Sequence, residues 1–271
     1  MWCDGRLRPS HQALVGPLDR GLTGGFGVYE SCAVLGGQVF ALRRHLARFA
    51  RSAAVLGFPV PDEDAVRAAA QQVAAAGGWA YGRLRVTLTG GPADGTPGIL
   101  LVVGQPAATV EQVTVVRSPW VRNERSAIAG VKATSTADNL VAARFARRSG
   151  ADEAVLANTL GELCECTTAN VLVELGGELV TPPLSSGCLG GVTRELLLEW
   201  AAEDGLPVRE RTLDFAVLDE VVAGRAALAI SSTVRTVVPV TALDGVPVAP
   251  GPLTVRARTL FDVRRRAGLD P

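Results

Sequence analysis

The alternation of apolar and polar positions divides the first hundred residues into short strands and two helices. Alternating segments bounded by glycine and proline turns predict four strands, at 29–33, 38–42, 83–88 and 98–103. Apolar residues at helical spacing from Leu42 onward predict a helix that ends at Gly57. A second helix is predicted at 62–76, before a Gly-Gly pair. This order of elements favours an α+β domain.

The rest of the chain is also predicted to contain both strands and helices, with more strands than helices. Helices are predicted at 139–148 and 193–203, the second with Thr193 as its N-cap. Strands are predicted at 113–116, 153–157, 170–174, 179–180, 226–231 and 237–240. The Pro-Ala-Ala stretch at 106–108 interrupts both patterns. We therefore expect an N-terminal α+β domain, 1–109, and a C-terminal β-rich domain, 110–271.

Composition narrows the classes of protein that fit. A length of 271 residues with 48% hydrophobic content can supply two cores. Lys and Arg together number 27, as do Asp and Glu, so no basic excess favours a nucleic-acid partner. No apolar run approaches the roughly 20 residues that span a bilayer, and the first residues do not resemble a secretory signal. Five cysteines without framework spacing suit a reducing compartment, so we expect a cytoplasmic protein.

The first candidate for chemistry is Lys132, which follows the apolar residue Val131. Every other basic residue among the 27 lysines and arginines is an arginine. A desolvated lysine amine can form an imine with a carbonyl compound, which an arginine cannot do. The alternative is an ordinary solvated surface lysine.

The second candidate is a glycine-rich loop, 189–195, that leads into a predicted helix. Glycines followed by Val192 and Thr193 would present backbone N–H groups and the positive end of a helix dipole to one phosphate group. An ordinary glycine turn with a threonine cap is the alternative. The spacing matches neither the Walker A motif nor a dinucleotide fingerprint, so a single phosphate fits better than a nucleotide.

The third candidate is Glu165, between Cys164 and Cys166 and just ahead of a predicted strand. A carboxylate in this setting could hold the N–H of a pyridinium ring and keep that ring an electron acceptor. The Cys-x-Cys spacing is unusual for zinc, and His11 and His45 are the only histidines that could complete a site. We therefore expect buried thiols and no metal.

Taken in order along the chain, these segments resemble the class IV aminotransferases, which include D-amino acid and branched-chain aminotransferases and aminodeoxychorismate lyase. The segments that carry the resemblance are 27–30, 43–49, 131–132, 150–154, 165–170, 181–184, 189–194, 231–233, 237–240 and 244–245. The resemblance implies an α/β, two-domain structure of the pyridoxal-phosphate fold type IV, similar to D-amino acid aminotransferase. It also implies pyridoxal 5'-phosphate in the cleft between the domains, and a homodimer.

The resemblance assigns a role to each matched residue. Lys132 matches the lysine that forms the Schiff base, Arg48 the arginine that binds the cofactor phosphate, and Glu165 the partner of the pyridine nitrogen. Val192 and Thr193 match the residues whose backbone N–H groups bind the cofactor phosphate, and Thr233 matches a hydroxyl that contacts it. Leu189 matches the side chain that packs on the cofactor ring. Tyr29 and Ser31 match residues of the substrate pocket.

The implied reaction is transfer of an amino group between a small amino acid and a 2-oxo acid. The alternatives are a 4-amino-4-deoxychorismate lyase that releases pyruvate and 4-aminobenzoate, and a relative that binds phosphate without catalysis. Residues 27–30 resemble D-amino acid aminotransferases, whereas Ser31 and the pattern at 165–170 resemble the lyase. Ala33 replaces a basic residue of many relatives, and the loop 89–94 lacks the arginine that some relatives use for a substrate carboxylate.

Overall fold

The computed structural model describes residues 1–3, 5–12, 15–59 and 61–271. The chain divides into two compact units. The first unit comprises residues 1–109, 131–136 and 268–271, and the second comprises 110–130 and 137–267. Lys132 thus belongs to the first unit, which differs from the expectation that the C-terminal domain would carry it. No described helix is long and apolar enough to cross a membrane.

The first unit is an antiparallel sheet packed against helices. Its elements are β1 (Trp2–Cys3), β2 (Arg6–Leu7), α1 (Arg20–Thr23), β3 (Gly27–Leu35), β4 (Gln38–Val39), α2 (Leu42–Val55), α3 (Glu63–Gly77), β5 (Tyr81–Thr89) and β6 (Leu100–Pro106). The strand order is β2-β1-β6-β5-β3-β4. One face of β3 and β5 packs with α2 into a core that includes Val28, Cys32, Phe49 and Leu84. The other face is free to carry polar groups, because side chains alternate across a strand.

The segment 131–136 joins the first unit by pairing with the beginning of β3. The N–H of Tyr29 donates to the carbonyl of Lys132 at 2.9 Å, and the N–H of Thr134 donates to the carbonyl of Gly27 at 2.8 Å. A Cβ atom at Gly27 would lie 2.7 Å from the Leu88 carbonyl oxygen and 2.9 Å from the Thr134 hydroxyl, closer than a side chain tolerates. Glycine at this position therefore allows the lysine-bearing segment to approach β3.

The second unit is built mainly of strands. Its elements are β7 (Val113–Arg117), α4 (Ala137–Arg148), β8 (Glu153–Ala157), β9 (Leu163–Cys166), β10 (Asn170–Leu175), β11 (Glu178–Thr181), α5 (Val192–Glu203), β12 (Val208–Glu210), α6 (Val217–Val222), β13 (Ala227–Ser232), β14 (Thr236–Leu243), β15 (Val246–Pro247) and α7 (Pro252–Ala267). Within its described residues, β10, β13, β14, β7, β8 and β9 pair in a closed ring, because β9 also pairs with β10. Apolar residues such as Val171, Ile230 and Val238 form its core.

Three local predictions differ from the structure. The strand predicted at 38–42 stops at Val39, because Ala41 adopts a left-handed conformation and α2 begins at Leu42. Thr193 is not the N-cap of α5, since the cap is Gly191 and no side chain hydrogen-bonds there. Strand β9 was not predicted: Glu165 lies within it, and also precedes β10 as expected.

Candidate active site

Lys132 lies beside the ring of Tyr29. Its Nζ atom is 4.5 Å from the ring centre, within the range of a cation–π contact. The backbone hydrogen bond from Tyr29 to Lys132 fixes the two residues relative to each other, and the N–H of Lys132 donates to the Ser52 hydroxyl at 3.3 Å. Lys132 as a residue is partly exposed.

Arg48 is held from α2 by a buried carboxylate. Its Nε and Nη2 atoms donate to the two oxygens of Glu30, each at 2.7 Å, and Nδ1 of His45 lies 2.8 Å from the same carboxylate. Glu30 and His45 are 0% exposed, and Arg48 is 6% exposed. The fork-to-fork geometry fixes the plane of the guanidinium. Two of its five N–H donors are used in this pair.

Glu30 is ionised in this cluster. Burial alone would raise the pKa of its carboxyl group, but the charge and hydrogen bonds of Arg48, together with His45, hold that pKa far below its ordinary value. Burial is also the main influence on His45 and lowers its pKa, despite the opposing effect of Glu30. A neutral His45 then donates Nδ1–H to Glu30. Its Nε2 atom is buried without a hydrogen-bond partner among the described residues.

Tyr29 and Ser31 lie on the face of β3 opposite the core, as alternation requires. Ser31 pairs in register with Arg85 of β5, and Tyr29 pairs with Thr87. The Arg85 guanidinium carbon is 3.7 Å from the centre of the Tyr29 ring. The two predicted pocket residues and Lys132 therefore belong to one surface of the first unit.

Glu165 has two fixed contacts in the second unit. Nη2 of Arg122 donates to Oε1 at 2.9 Å, and the backbone N–H of Leu189 donates to Oε2 at 2.9 Å. Glu165 is 8% exposed. Each carboxylate oxygen has a further lone pair, so the group can also accept a hydrogen bond from a pyridinium N–H.

The loop before α5 is held against the strands of the closed ring. The Asn170 amide donates to the Leu189 carbonyl at 2.7 Å, and a Cβ atom at Gly191 would overlap the Asn170 side chain. Val192 and Thr193 are the first two helical residues, and their N–H groups have no acceptor within the helix. A helix start without a side-chain cap suits an anion.

Thr233 lies in the turn between β13 and β14. It belongs to the second unit, together with Glu165, Leu189, Val192 and Thr193. Tyr29, Ser31, Arg48 and Lys132 belong to the first unit. The predicted site residues therefore fall into two sets, one in each unit.

The cysteines contribute no reactive group to this region. Cys164, Cys166 and Cys188 are buried, and burial raises the pKa of each thiol. Over the described ranges, no group of three or more His, Cys, Asp or Glu side chains is placed to hold a metal ion.

Comparison with known proteins identifies the family. The model of the family described as Amino-transferase class IV matches residues 27–243, which include every candidate site residue. The chain belongs to the class IV aminotransferases. The resemblance inferred from the sequence is thereby confirmed, and the protein is an enzyme of this family, whose members generally depend on pyridoxal phosphate.

Relatives of this class IV aminotransferase cover nearly its whole length. It is 30% identical over 259 residues to the D-alanine aminotransferase of Listeria monocytogenes serotype 4b, covering 90% of this chain and 88% of the relative. The branched-chain amino acid aminotransferase of Escherichia coli superposes with a TM-score of 0.88 at 25% identity, covering 97% of this chain and 93% of that chain. The predicted fold class, fold type IV, is confirmed by this structural match.

A protein of Legionella pneumophila provisionally named 4-amino-4-deoxychorismate lyase also superposes, with a TM-score of 0.84 at 23% identity, covering 94% of this chain and 96% of that chain. At this identity the match concerns the fold alone. Transaminases and a protein named as a lyase therefore share the architecture of this class IV aminotransferase.

Sequence reasoning missed four polar residues of the region: Glu30, His45, Arg85 and Arg122. Glu30 had a detectable signal, because it shares the strand phase of the apolar residues Val28 and Cys32, where a solvated carboxylate is not expected. His45 falls in the helical phase of Leu42 and Phe49. Arg85 and Arg122 carried no comparable signal, since their partners come from other strands.

Proposed function

We propose that this protein is a pyridoxal-phosphate-dependent aminotransferase that moves an amino group between a small amino acid and a 2-oxo acid, with Lys132 as the cofactor-binding lysine. The observation that carries the proposal is the position of the chain's only lysine, 4.5 Å from the Tyr29 ring and partly exposed. An arginine in this position would have no free amine to offer.

The residues present fit pyridoxal 5'-phosphate. An amine, a carboxylate with donors on both oxygens, and a helix start without a side-chain cap match the aldehyde, ring nitrogen and phosphate of that cofactor. When bound, the cofactor supplies an aldehyde carbon that reacts with amines and a ring that withdraws electrons from them.

Each residue then has a defined task. Lys132 provides the covalent attachment and moves a proton to and from the substrate carbon. Arg48 and the N–H groups of Val192 and Thr193 bind the phosphate, with Thr233 as an added hydroxyl contact. Glu165, positioned by Arg122 and the Leu189 N–H, accepts a hydrogen bond from the ring nitrogen. Leu189 packs against the ring.

Lyase chemistry is the second candidate, and Ser31 is the observation that favours it. Its hydroxyl lies on the same face of β3 as Tyr29, two residues away and partly exposed. A hydroxyl on this face could pass a proton to a leaving group, which an elimination requires. Amino transfer is the first choice because the D-alanine aminotransferase resemblance extends over 90% of the chain.

Trapping of the cofactor tests the assignment of Lys132. Sodium borohydride should fix the cofactor on the peptide that contains Lys132, because the reagent reduces a carbon–nitrogen double bond to a single bond. Mass spectrometry of the digested protein locates the label. Lys132→Arg is the matched variant, since it keeps the positive charge beside Tyr29 but removes the amine.

The Lys132→Arg protein should carry no label and should lose amino transfer by several orders of magnitude. A label on any other residue, or normal turnover of this variant, would show that Lys132 is not the cofactor lysine.

A further inference from the structure

A buried carboxylate lies at the start of β8, that of Glu153. The residue is 2% exposed, and polar groups of two separate turns donate to it. In the turn between β9 and β10, the hydroxyls of Thr167 and Thr168 donate to it, as does the Thr168 N–H at 3.1 Å. In the turn between β13 and β14, Nη2 of Arg235 donates to it at 2.6 Å. Glu153 therefore joins two turns that are 67 residues apart in the sequence.

The Arg235 guanidinium is also held on its other edges. Its Nε donates to the Ser232 hydroxyl within the same turn at 3.2 Å, and its Nη2 donates to the Thr168 hydroxyl at 2.7 Å. The side chain is only 17% exposed. Because a guanidinium is planar and its donors have fixed directions, these acceptors determine its orientation.

The turn that carries Arg235 contains a strained residue. Thr236, which pairs with Ser232 across the turn, has a φ of +60°. A β-branched residue rarely adopts this left-handed conformation and keeps it only where the surrounding structure holds it there. The contact between Glu153 and the adjacent Arg235 is part of that hold. The shape of this turn therefore depends on a side chain from β8.

Both turns lie next to residues of the proposed cofactor site. Thr233, the proposed hydroxyl contact of the phosphate, precedes Arg235 by two residues in the same turn. Glu165, the proposed partner of the ring nitrogen, precedes Thr167 by two residues. Glu153 and Arg235 have no task of their own in the proposed function, but they hold the backbone beside two residues that do.

We propose that Glu153, acting through Arg235, is a positioning residue that holds Thr233 in place for the cofactor phosphate. This inference rests on the proposed function and deepens it, because it names the residues that shape the phosphate site without contacting the phosphate. Loss of Arg235 should release only the turn between β13 and β14, since the threonine contacts of Glu153 remain.

Ligands with and without a phosphate group test the proposal. The full chain, freed of cofactor, is titrated with pyridoxal 5'-phosphate and with pyridoxal, which keeps the aldehyde and the ring but lacks the phosphate. Inorganic phosphate is added as a competitor. Binding is followed through visible absorption. The variants are Arg235→Gln, Glu153→Gln and Thr168→Val, which removes a contact of both residues without changing any charge.

Two control variants accompany them. Arg225→Gln removes a positive charge from the second unit at an exposed ion pair with Glu220. Glu174→Gln alters a carboxylate that also joins two elements of the second unit, since it accepts the N–H groups of Leu253 and Thr254. Neither control should change the ratio of the affinities for pyridoxal 5'-phosphate and pyridoxal, even where Glu174→Gln lowers stability.

Arg235→Gln should weaken binding of pyridoxal 5'-phosphate and of inorganic phosphate by roughly 10-fold, the order of one lost hydrogen bond to a charged group. Binding of pyridoxal should stay unchanged. Glu153→Gln should also weaken binding of pyridoxal 5'-phosphate. A purely electrostatic effect would have the opposite sign in this variant, because removal of a negative charge favours a bound anion. If Glu153→Gln does not fold, Thr168→Val supplies the same distinction and should weaken binding of the phosphate without a change of charge.

Tighter binding of pyridoxal 5'-phosphate by Glu153→Gln, or unchanged binding by Thr168→Val, would overturn the proposal. Equal losses for pyridoxal 5'-phosphate and pyridoxal in Arg235→Gln would overturn it as well. Amino transfer is measured separately, which keeps the two hypotheses apart. Phosphate binding that depends on Arg235 and Glu153 in a protein that transfers no amino group would refute the proposed function and leave this inference in place.

Discussion

Among single residues, Glu30 has the most demanding environment in the first unit. It is fully buried, yet the charge and hydrogen bonds of Arg48 and the hydrogen bond of His45 keep it ionised. Such a pair adds little net stability compared with apolar packing, but removal of one member leaves an uncompensated buried charge. Glu30 therefore acts as a positioning residue for the arginine that we propose binds the cofactor phosphate.

Replacement of Glu30 by glutamine should be strongly destabilising. The amide keeps the shape of the side chain but leaves the Arg48 charge without a counterion, at a cost of about 3–5 kcal/mol in the free energy of unfolding. Urea unfolding at neutral pH measures this cost. Glu63→Gln is the matched control: Glu63 pairs with Arg67 on the surface at 2.9 Å. Its loss should cost at most about 1 kcal/mol.

The pH dependence gives the same prediction a second readout. A carboxyl group whose pKa is lower in the native state stabilises the protein above the ordinary carboxyl pKa, and this contribution is lost as the pH falls. Because the pKa of Glu30 is lowered, the difference in stability between wild type and Glu30→Gln should shrink below about pH 4. A difference that stays constant down to acidic pH would mean that Glu30 is not the ionised partner of Arg48.

Among the elements, α7 shows how a distant side chain can define a helix start. The Glu174 carboxylate, at the end of β10, accepts the N–H groups of Leu253 at 3.1 Å and Thr254 at 2.9 Å, and the Thr254 hydroxyl at 3.2 Å. These N–H groups have no acceptor within the helix. A negative charge at a helix start is also favoured by the helix dipole.

Glu174→Ala should therefore lower the free energy of unfolding by about 0.5–2 kcal/mol, the range for loss of an N-cap. Glu178→Ala is the control from the neighbouring strand, since the ion pair of Glu178 among the described residues is a 3.6 Å contact with the exposed Arg209. Its effect should be smaller, at most about 1 kcal/mol. Thermal or urea unfolding compares the two variants, and equal losses would remove the capping role.

The elements also show what the sequence can predict. Strand β8 has the predicted bounds, and α3 begins after Asp62, whose side chain caps it, because these features depend on local residues. Helix α7 was missed although Pro252 at its start and Gly268 after its end are local signals; only its cap, which comes from β10, has none. The pairing of β9 with β10, which brings Asn170 opposite Glu165, is local, across the turn 167–169, and it was missed because β9 itself was not predicted.

For the candidate site, too, the sequence predicted individual residues but not their partners from other elements. Lys132 was identified because it is the only lysine, and Glu165, Val192 and Thr193 because they recur in a family pattern. The residues that surround them come from other elements: Arg122 reaches Glu165, and Arg85 reaches Tyr29. These contacts join segments that are far apart in the sequence, so the residue pattern within one segment cannot predict them.

At the scale of the whole molecule, the fold alone does not determine which reaction the protein catalyses. The superposed structures include a branched-chain aminotransferase and a protein named as a lyase, with TM-scores of 0.88 and 0.84. A shared architecture supports different reactions through differences in a few side chains. For this chain, Ser31 is the side chain on which the proposed alternatives differ.

The need for an amino acceptor separates the two reactions. In amino transfer, the cofactor retains the amino group of the donor, so turnover should stop after one equivalent unless a 2-oxo acid is supplied. Sustained formation of a second amino acid from D- or L-alanine with 2-oxoglutarate is the expected result. The amino products are measured by chromatography, and omission of 2-oxoglutarate is the control.

Ser31→Ala should then alter substrate preference only modestly, because amino transfer uses Lys132 for the proton. In a lyase, the same change should reduce the rate by roughly 10²- to 10⁴-fold, as for a lost acid–base group. Ser149→Ala, at an exposed serine of the second unit, controls for nonspecific effects. Continuous release of pyruvate and 4-aminobenzoate from aminodeoxychorismate without acceptor, with no transfer to any 2-oxo acid, would establish the lyase instead.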